Sequence, residues 1–239
     1  MEEQVIGTSY ENEKSRFLAK TYLWMALGLL ISGVTACLGA YCYPVAKFLF
    51  SSVNGTPVVM ISLIVAELIL VILFSAKLRT FSVGATITTF VLYSAINGFT
   101  MSSIFMIYSI QSIVYSFAAS SVMFGVMAIF GLTTKKNLNT FGRYLMMALI
   151  GTLVVCLLNM IISAIVGSPL RMVDFLVNIV IVVIFTGMTA YDSQRILVAA
   201  EHSDESDDFK KLAVYGAFQL YLDFINMFLR ILRIFGRRN

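Results

Sequence analysis

The chemistry in this chain rests on three acidic residues set in apolar surroundings. Asp223 lies in "LYLDFINMFLRIL" (220–232), Asp192 in "TAYDSQRI" (189–196) and Glu67 in "LIVAELILV" (63–71). A charged, unpaired carboxylate at membrane depth costs about 2.5–3.5 kcal/mol even on the lenient insertion scale. Two carboxyls held close together cannot both ionise cheaply, so a pair of aspartates can share a proton and sense pH. Carboxylate oxygens are also hard ligands suited to calcium. Around Asp223 the order is regular: Gln219, Asp223, Asn226, Arg230, Arg233 and Arg237 follow at steps of four, three, four, three and four. That spacing draws one polar stripe down one helical face, which must turn toward other helices or water. Asp174, Asn178, Thr189 and Asp192 fall close to a common face of the preceding segment. Lys77 and Arg79 close the segment that carries Glu67. Plainer roles stay open for each acid. Glu67 can be a protonated packing residue, and Asp192 can pair with Arg195 at i+3 near a membrane interface.

The elements that position these groups are membrane helices. Of 239 residues, 59% are hydrophobic and 13% charged, with mean hydropathy +0.88. Soluble domains run nearer a quarter charged. Seven apolar segments follow one another at about 21–43, 57–76, 82–107, 110–132, 143–166, 172–198 and 211–234. The expected fold is therefore all-α: one seven-helix membrane domain over 1–239, preceded by a short polar tail, 1–20. That tail does not read as a cleavable leader. The break between the third and fourth segments is marked only by Tyr108, Ser109 and Gln111. Ser121 and Gly125 in the fourth segment are the small residues expected to admit close packing. Cys37, Cys42 and Cys156 are odd in number and lack CxxC spacing, which gives neither a disulfide framework nor a zinc site. The loop "EHSDESDDFKK", with His202, lacks the spacing of a calcium loop. The formal charge of +4 resides in loops and the C-terminus. That placement suits lipid headgroups and topology, not nucleic acid.

Basic residues set the orientation. Lys and Arg number three before the first segment, then one, two, none, three, one and three in the successive connections. The alternation places the N-terminus in the cytoplasm. Arg230, Arg233, Arg237 and Arg238 break it, so the last segment either crosses against the rule or re-enters. A crossing is favoured by its length. Enzymatic readings find no support. An aspartyl intramembrane protease would match "Tyr191-Asp192", but its partner should read GxGD followed by a PAL motif. Here the partner is "LYLD", and Pro44, Pro57 and Pro169 lie elsewhere. A retinal protein needs a lysine midway along the last helix, and none stands there.

"YSAINGFTMSSIF" (93–105), "TAYDSQRI" (189–196) and above all "LYLDFINMFLRILRIFG" (220–236) resemble the Bax inhibitor-1 family of membrane proteins, over nearly the whole chain. The resemblance implies a seven-helix fold with the last helix central and six around it. It implies a pH-sensitive calcium leak and, for eukaryotic members, suppression of cell death. Asp192 and Asp223 match the family's pH-sensing aspartates, and Glu67 matches an acidic residue of its second helix. Bacterial relatives end that helix with an arginine that exchanges partners with the aspartates. In this chain Leu78 takes that position between Lys77 and Arg79, and Arg79 is the expected basic partner.

The expectation is a multi-pass protein of the bacterial plasma membrane that leaks calcium under the control of protons and carries no cofactor. Asp192 and Asp223 are the gate and the candidate calcium ligands. Glu67, Lys77, Arg79, Gln219, Asn226 and Arg230 line the path or partner the gate. The alternative is a regulatory membrane protein that acts through helix contacts with partner proteins, such as a membrane protease or a component of stress or cell-death control.

Overall fold

A computed structural model describes residues 2–52, 56–78, 80–168, 170–201 and 206–238, with side chains from residue 13 onward. Arg79 and His202 lie outside the described residues. Eight helices make up the described chain: α1 (Glu2–Tyr41), α2 (Tyr43–Leu49), α3 (Val58–Lys77), α4 (Val83–Ile107), α5 (Ile110–Thr133), α6 (Asn139–Val166), α7 (Arg171–Ala200) and α8 (Asp207–Phe235). All but α2 are long and apolar enough to cross a membrane. Helices suit that solvent because every interior backbone N–H and C=O is satisfied within the segment.

The ends follow local chemistry. Ser82 starts α4 by accepting from the Ala85 amide at 3.2 Å. Ser109 starts α5 by accepting from the Ser112 amide at 3.3 Å, so the weak break near Tyr108 is a true helix boundary. Gly167 closes α6 at φ 72°, a left-handed conformation that glycine adopts without a Cβ clash. Two elements depart from the sequence reading. Residues read as a polar tail are helical from Glu2, because no proline interrupts the helix propagating from the apolar run. The short α2 is an addition, started by Pro44 and too brief to show a period.

The helices assemble into two compact units. The first joins Met1–Tyr108 with Ile196–Tyr221, and the second joins Ser109–Arg195 with Leu222–Arg238. In the first unit α1 packs mainly on α4, and α4 on α3. Gly98 on α4 allows this approach, because a Cβ there would strike the Ser32 backbone and Thr35 of α1. Phe218 of α8 is met edge-on by Phe74 at 4.8 Å, Tyr93 at 5.0 Å and Phe90 at 6.1 Å. Such edge contacts add about 0.5–1.5 kcal/mol each beyond the area they bury. In the second unit Phe117 and Phe124 of α5 meet Phe224 at 5.2 and 5.8 Å. Leu145, Ile184 and Met188 form a further buried cluster against Tyr191.

α8 is the most enclosed span. Two-thirds of its apolar window is buried, against a third or less for every other span. It is one unbroken helix of 29 residues, about 43 Å at 1.5 Å per residue, which exceeds the hydrocarbon core without a re-entrant turn. Close packing in α5 comes from a different glycine than expected. Ser121 is exposed and Gly125 has open space, whereas Gly131 lies against the Ala190 backbone of α7. Ser121 and Gly125 therefore face away from the contact, while Ser120 is buried on the same face of α5 as Gly131.

Candidate functional site

Asp192 and Asp223 are both in the second unit and both buried, at 2% and 3% exposure. Asp192 stands on α7 and Asp223 on α8. Asp192 Oδ1 and Asp223 Oδ2 are each buried without a hydrogen-bond partner. Such an oxygen costs about 1–3 kcal/mol when it has lost water and gained no donor. Arg195 Nη1 comes to 3.7 Å from Asp192 Oδ1. That is an ion pair but lies beyond hydrogen-bond reach, so the two observations agree: the guanidinium attracts without donating. Arg195 is half-exposed and also sits 5.5 Å over the Tyr191 ring. Among the described residues the basic group paired with Asp192 is its i+3 neighbour on α7. Lys77 is exposed at the end of α3 in the first unit.

The turn that carries Asp192 is held on two sides. Gly131 of α5 lies against the Ala190 backbone, and Gly142 of α6 lies against the Tyr191 ring. Gln194 then fastens the α5–α6 connection. Its Oε1 accepts from the Leu138 amide at 2.8 Å, and its Nε2 donates to the Lys136 carbonyl at 2.8 Å.

The α8 stripe is graded. Asp223 is buried, Asn226 and Arg230 are half-buried, and Arg233 and Arg237 are exposed. Asn226 Nδ2 donates back to the Leu222 carbonyl at 2.8 Å. Arg230 Nη1 donates to Asn178 Oδ1 at 3.1 Å, while Asn178 Nδ2 donates to the Asp174 carbonyl at 2.6 Å. Asp174 accepts from Asn159 Nδ2 at 2.6 Å. Asn178, Thr189 and Asp192 share burial on α7 as their spacing implied, but Asp174 is exposed.

Glu67 and Gln219 belong to the first unit, where Gln219 is half-buried. Glu67 is bonded, not isolated: Thr100 Oγ1 donates to Oε1 at 2.7 Å and Asn97 Nδ2 approaches Oε2 at 3.4 Å. Asn97 Oδ1 accepts from the Tyr221 hydroxyl of α8 at 2.8 Å, and Tyr221 lies 2.7 Å from Ser32 Oγ of α1. Sequence reasoning did not single out Asn97, Thr100, Tyr221 or Gln194. All four fall inside the stretches that carried the resemblance, and an asparagine and a threonine on a span facing the half-buried acid are the signal for Asn97 and Thr100. Among the described residues no three His, Cys, Asp or Glu gather as a metal-holding group.

Comparison with known proteins agrees with this architecture. Residues 14–239 match the family described as "Inhibitor of apoptosis-promoting Bax1". The inner membrane protein YbhL of Escherichia coli (strain K12) is 40% identical over 224 residues, covering 93% of this chain and 92% of its own. A protein of Borreliella burgdorferi is 38% identical over 226 residues, covering 94% and 93%. A membrane protein of Streptococcus pyogenes serotype M1 is 33% identical over 241 residues, covering both chains completely. With a family match over nearly its whole length and this buried acidic pair on its last two helices, the chain belongs to the Bax inhibitor-1 family of multi-pass membrane proteins.

Proposed function

We propose that this protein is a pH-regulated calcium leak pathway of a bacterial inner membrane, gated by Asp192 and Asp223. One observation carries the reading: two buried carboxyl oxygens, acceptors only when ionised, belong to one unit and lack a donor. A single shared proton supplies that donor and ties α7 to α8. As pH rises the proton leaves, the two charges repel, and Arg195 competes for Asp192. The tie is lost, and cations pass along the polar stripe of α8. Paired carboxylate oxygens favour calcium over softer or larger cations. The test is calcium flux through the purified protein in liposomes. Flux that rises with pH supports the reading. No flux at any pH sinks it and leaves the regulatory alternative.

The same reading puts the N-terminus in the cytoplasm, on the alternation of basic connections. In a background without Cys37, Cys42 and Cys156, cysteines introduced at Lys136 and Ser206 should be protected from an impermeant thiol reagent in intact cells. Labelling of either from outside reverses the orientation.

A further inference from the structure

The hydroxyls around Glu67 do not carry enough hydrogens for the contacts they make. Ser32 Oγ lies 2.7 Å from the Ser94 carbonyl and 2.7 Å from the Tyr221 hydroxyl, which lies 2.8 Å from Asn97 Oδ1. Each contact needs one hydrogen between its atoms. The Ser94 and Asn97 oxygens are pure acceptors, so Ser32 and Tyr221 must supply three hydrogens from two. A fourth contact, Ser32 Oγ to the Gly28 carbonyl at 3.0 Å, adds demand and no donor. All four members of this chain are buried. An O···O approach of 2.7 Å without a hydrogen is repulsive in a dry interior.

Rotating the Asn97 amide by half a turn removes the shortage. Its Nδ2 then donates to Tyr221, Tyr221 donates to Ser32, and Ser32 donates to the Ser94 carbonyl. The amide oxygen now faces Glu67 Oε2, and that contact is tolerable only if Glu67 carries a proton to donate. The 3.4 Å separation points the same way, because an amide donating to a charged carboxylate closes to about 2.7–2.9 Å. Thr100 keeps its bond to Oε1 in either arrangement.

We infer that Glu67 is a proton-binding site whose occupancy is read by Tyr221 of α8 through the orientation of the Asn97 amide. With the proton bound, the chain from Glu67 to the Ser94 carbonyl makes four hydrogen bonds. With Glu67 charged it makes three, and one oxygen pair is left facing without a hydrogen. Proton loading at α3 therefore strengthens the tie among α1, α4 and α8. The other titratable groups near Glu67 are the neutral phenols of Tyr93 from α4 and Tyr221 from α8, which feel its charge. On α3 itself the other charged residue is Lys77, exposed at the far end, and α2 contributes the exposed Lys47. Nothing in this inference depends on calcium passing through the protein.

Infrared spectroscopy of the full chain, labelled with carbon-13 glutamate and held in lipid nanodiscs, tests it. At about pH 6 water-exposed glutamates, which titrate near 4.3, are ionised. A labelled carboxylic-acid carbonyl band should remain, and Glu67→Gln should remove it. Tyr221→Phe and Ser32→Ala each leave two bonds in both protonation states, so the bonding advantage of the bound proton disappears. Each should lower the pH midpoint of the band by about one unit, a tenfold loss of proton affinity and the worth of one buried hydrogen bond. Ser102→Ala removes an α4 hydroxyl that donates to the Phe99 carbonyl of its own helix at 2.6 Å and should leave the midpoint in place. Absence of a Glu67 acid band at that pH overturns the inference, as does a midpoint unmoved by both Tyr221→Phe and Ser32→Ala.

Discussion

In proteoliposomes, Asp192→Asn and Asp223→Asn are each expected to flatten the rise of calcium flux with pH. Release of one controlling proton changes the open fraction by at most about tenfold per pH unit, and either substitution should reduce that slope to about none. An amide keeps the size of the carboxyl and always carries hydrogens. It therefore supplies the donor that the partner oxygen lacks, at every pH. Asp223 Oδ2 and Asp192 Oδ1 are buried without donors, so the substituted pair stays tied where the native pair separates. The double variant should be little different from either single one, because the two groups act as a unit. Arg195→Gln should keep a pH response but move it to higher pH, since Asp192 loses the cation 3.7 Å away that favours its charged form. Wild-type pH profiles in both single Asn variants would mean that the pair does not gate flux.

The second large effect is on the fold beneath the pair. Gly131→Ala should lower the thermal midpoint sharply, and Gly131→Leu should yield little folded protein. A Cβ on Gly131 would fall on the Ala190 carbonyl oxygen and lie 2.9 Å from its carbon and Cα. These are backbone atoms of a packed helix and cannot rotate aside, so α5 and α7 must separate. Overpacking of this kind costs about 1–3 kcal/mol for a single methyl. Gly125→Ala is the matched control on the same helix. Nothing lies within 4 Å of its Cβ, and a helical Gly→Ala exchange gains about 1 kcal/mol from backbone entropy. Thermal unfolding followed by fluorescence-detected size exclusion separates the two. Equal behaviour of both alanine variants would show that the α5–α7 approach is not close. Since Ala190 stands two residues before Asp192, Gly131→Ala should also disturb the pH response of whatever protein survives.

Much of this was legible in the chain because membrane helices announce themselves by length and composition. Each of the seven apolar segments became a helix, and the boundary at Tyr108 and Ser109 was found from three residues. The α8 stripe was legible because its steps of three and four are geometry, and the burial of Asp223 within it follows from the cost of a carboxyl in lipid. What stayed hidden depends on partners distant in sequence. Glu67 is satisfied by Asn97 and Thr100, some thirty residues away, and no spacing rule links them. Gly131, not Gly125, faces α7, because both fit a small-residue pattern and only the rotation of α5 decides between them. The i+3 spacing of Asp192 and Arg195 was legible as a pairing and stands at 3.7 Å, while the other expected partner, Arg79, lies outside the described residues.

Residues 207–221 of α8 complete one unit and residues 222–235 the other. This has a consequence for biogenesis. Ribosomes deliver the chain in order, so the six earlier spans enter the bilayer before either unit has its last member. Until α8 arrives, Asn97 has no Tyr221, Asn178 has no Arg230, and the rings of Phe74, Phe90 and Phe117 have nothing to close on. Until α8 is made, Asn97 Oδ1 and Asn178 Oδ1 lack the donors that Tyr221 and Arg230 bring. A ribosome stalled before α8 would leave two unfinished halves together, not one finished and one missing, which makes such a product a ready substrate for membrane quality control.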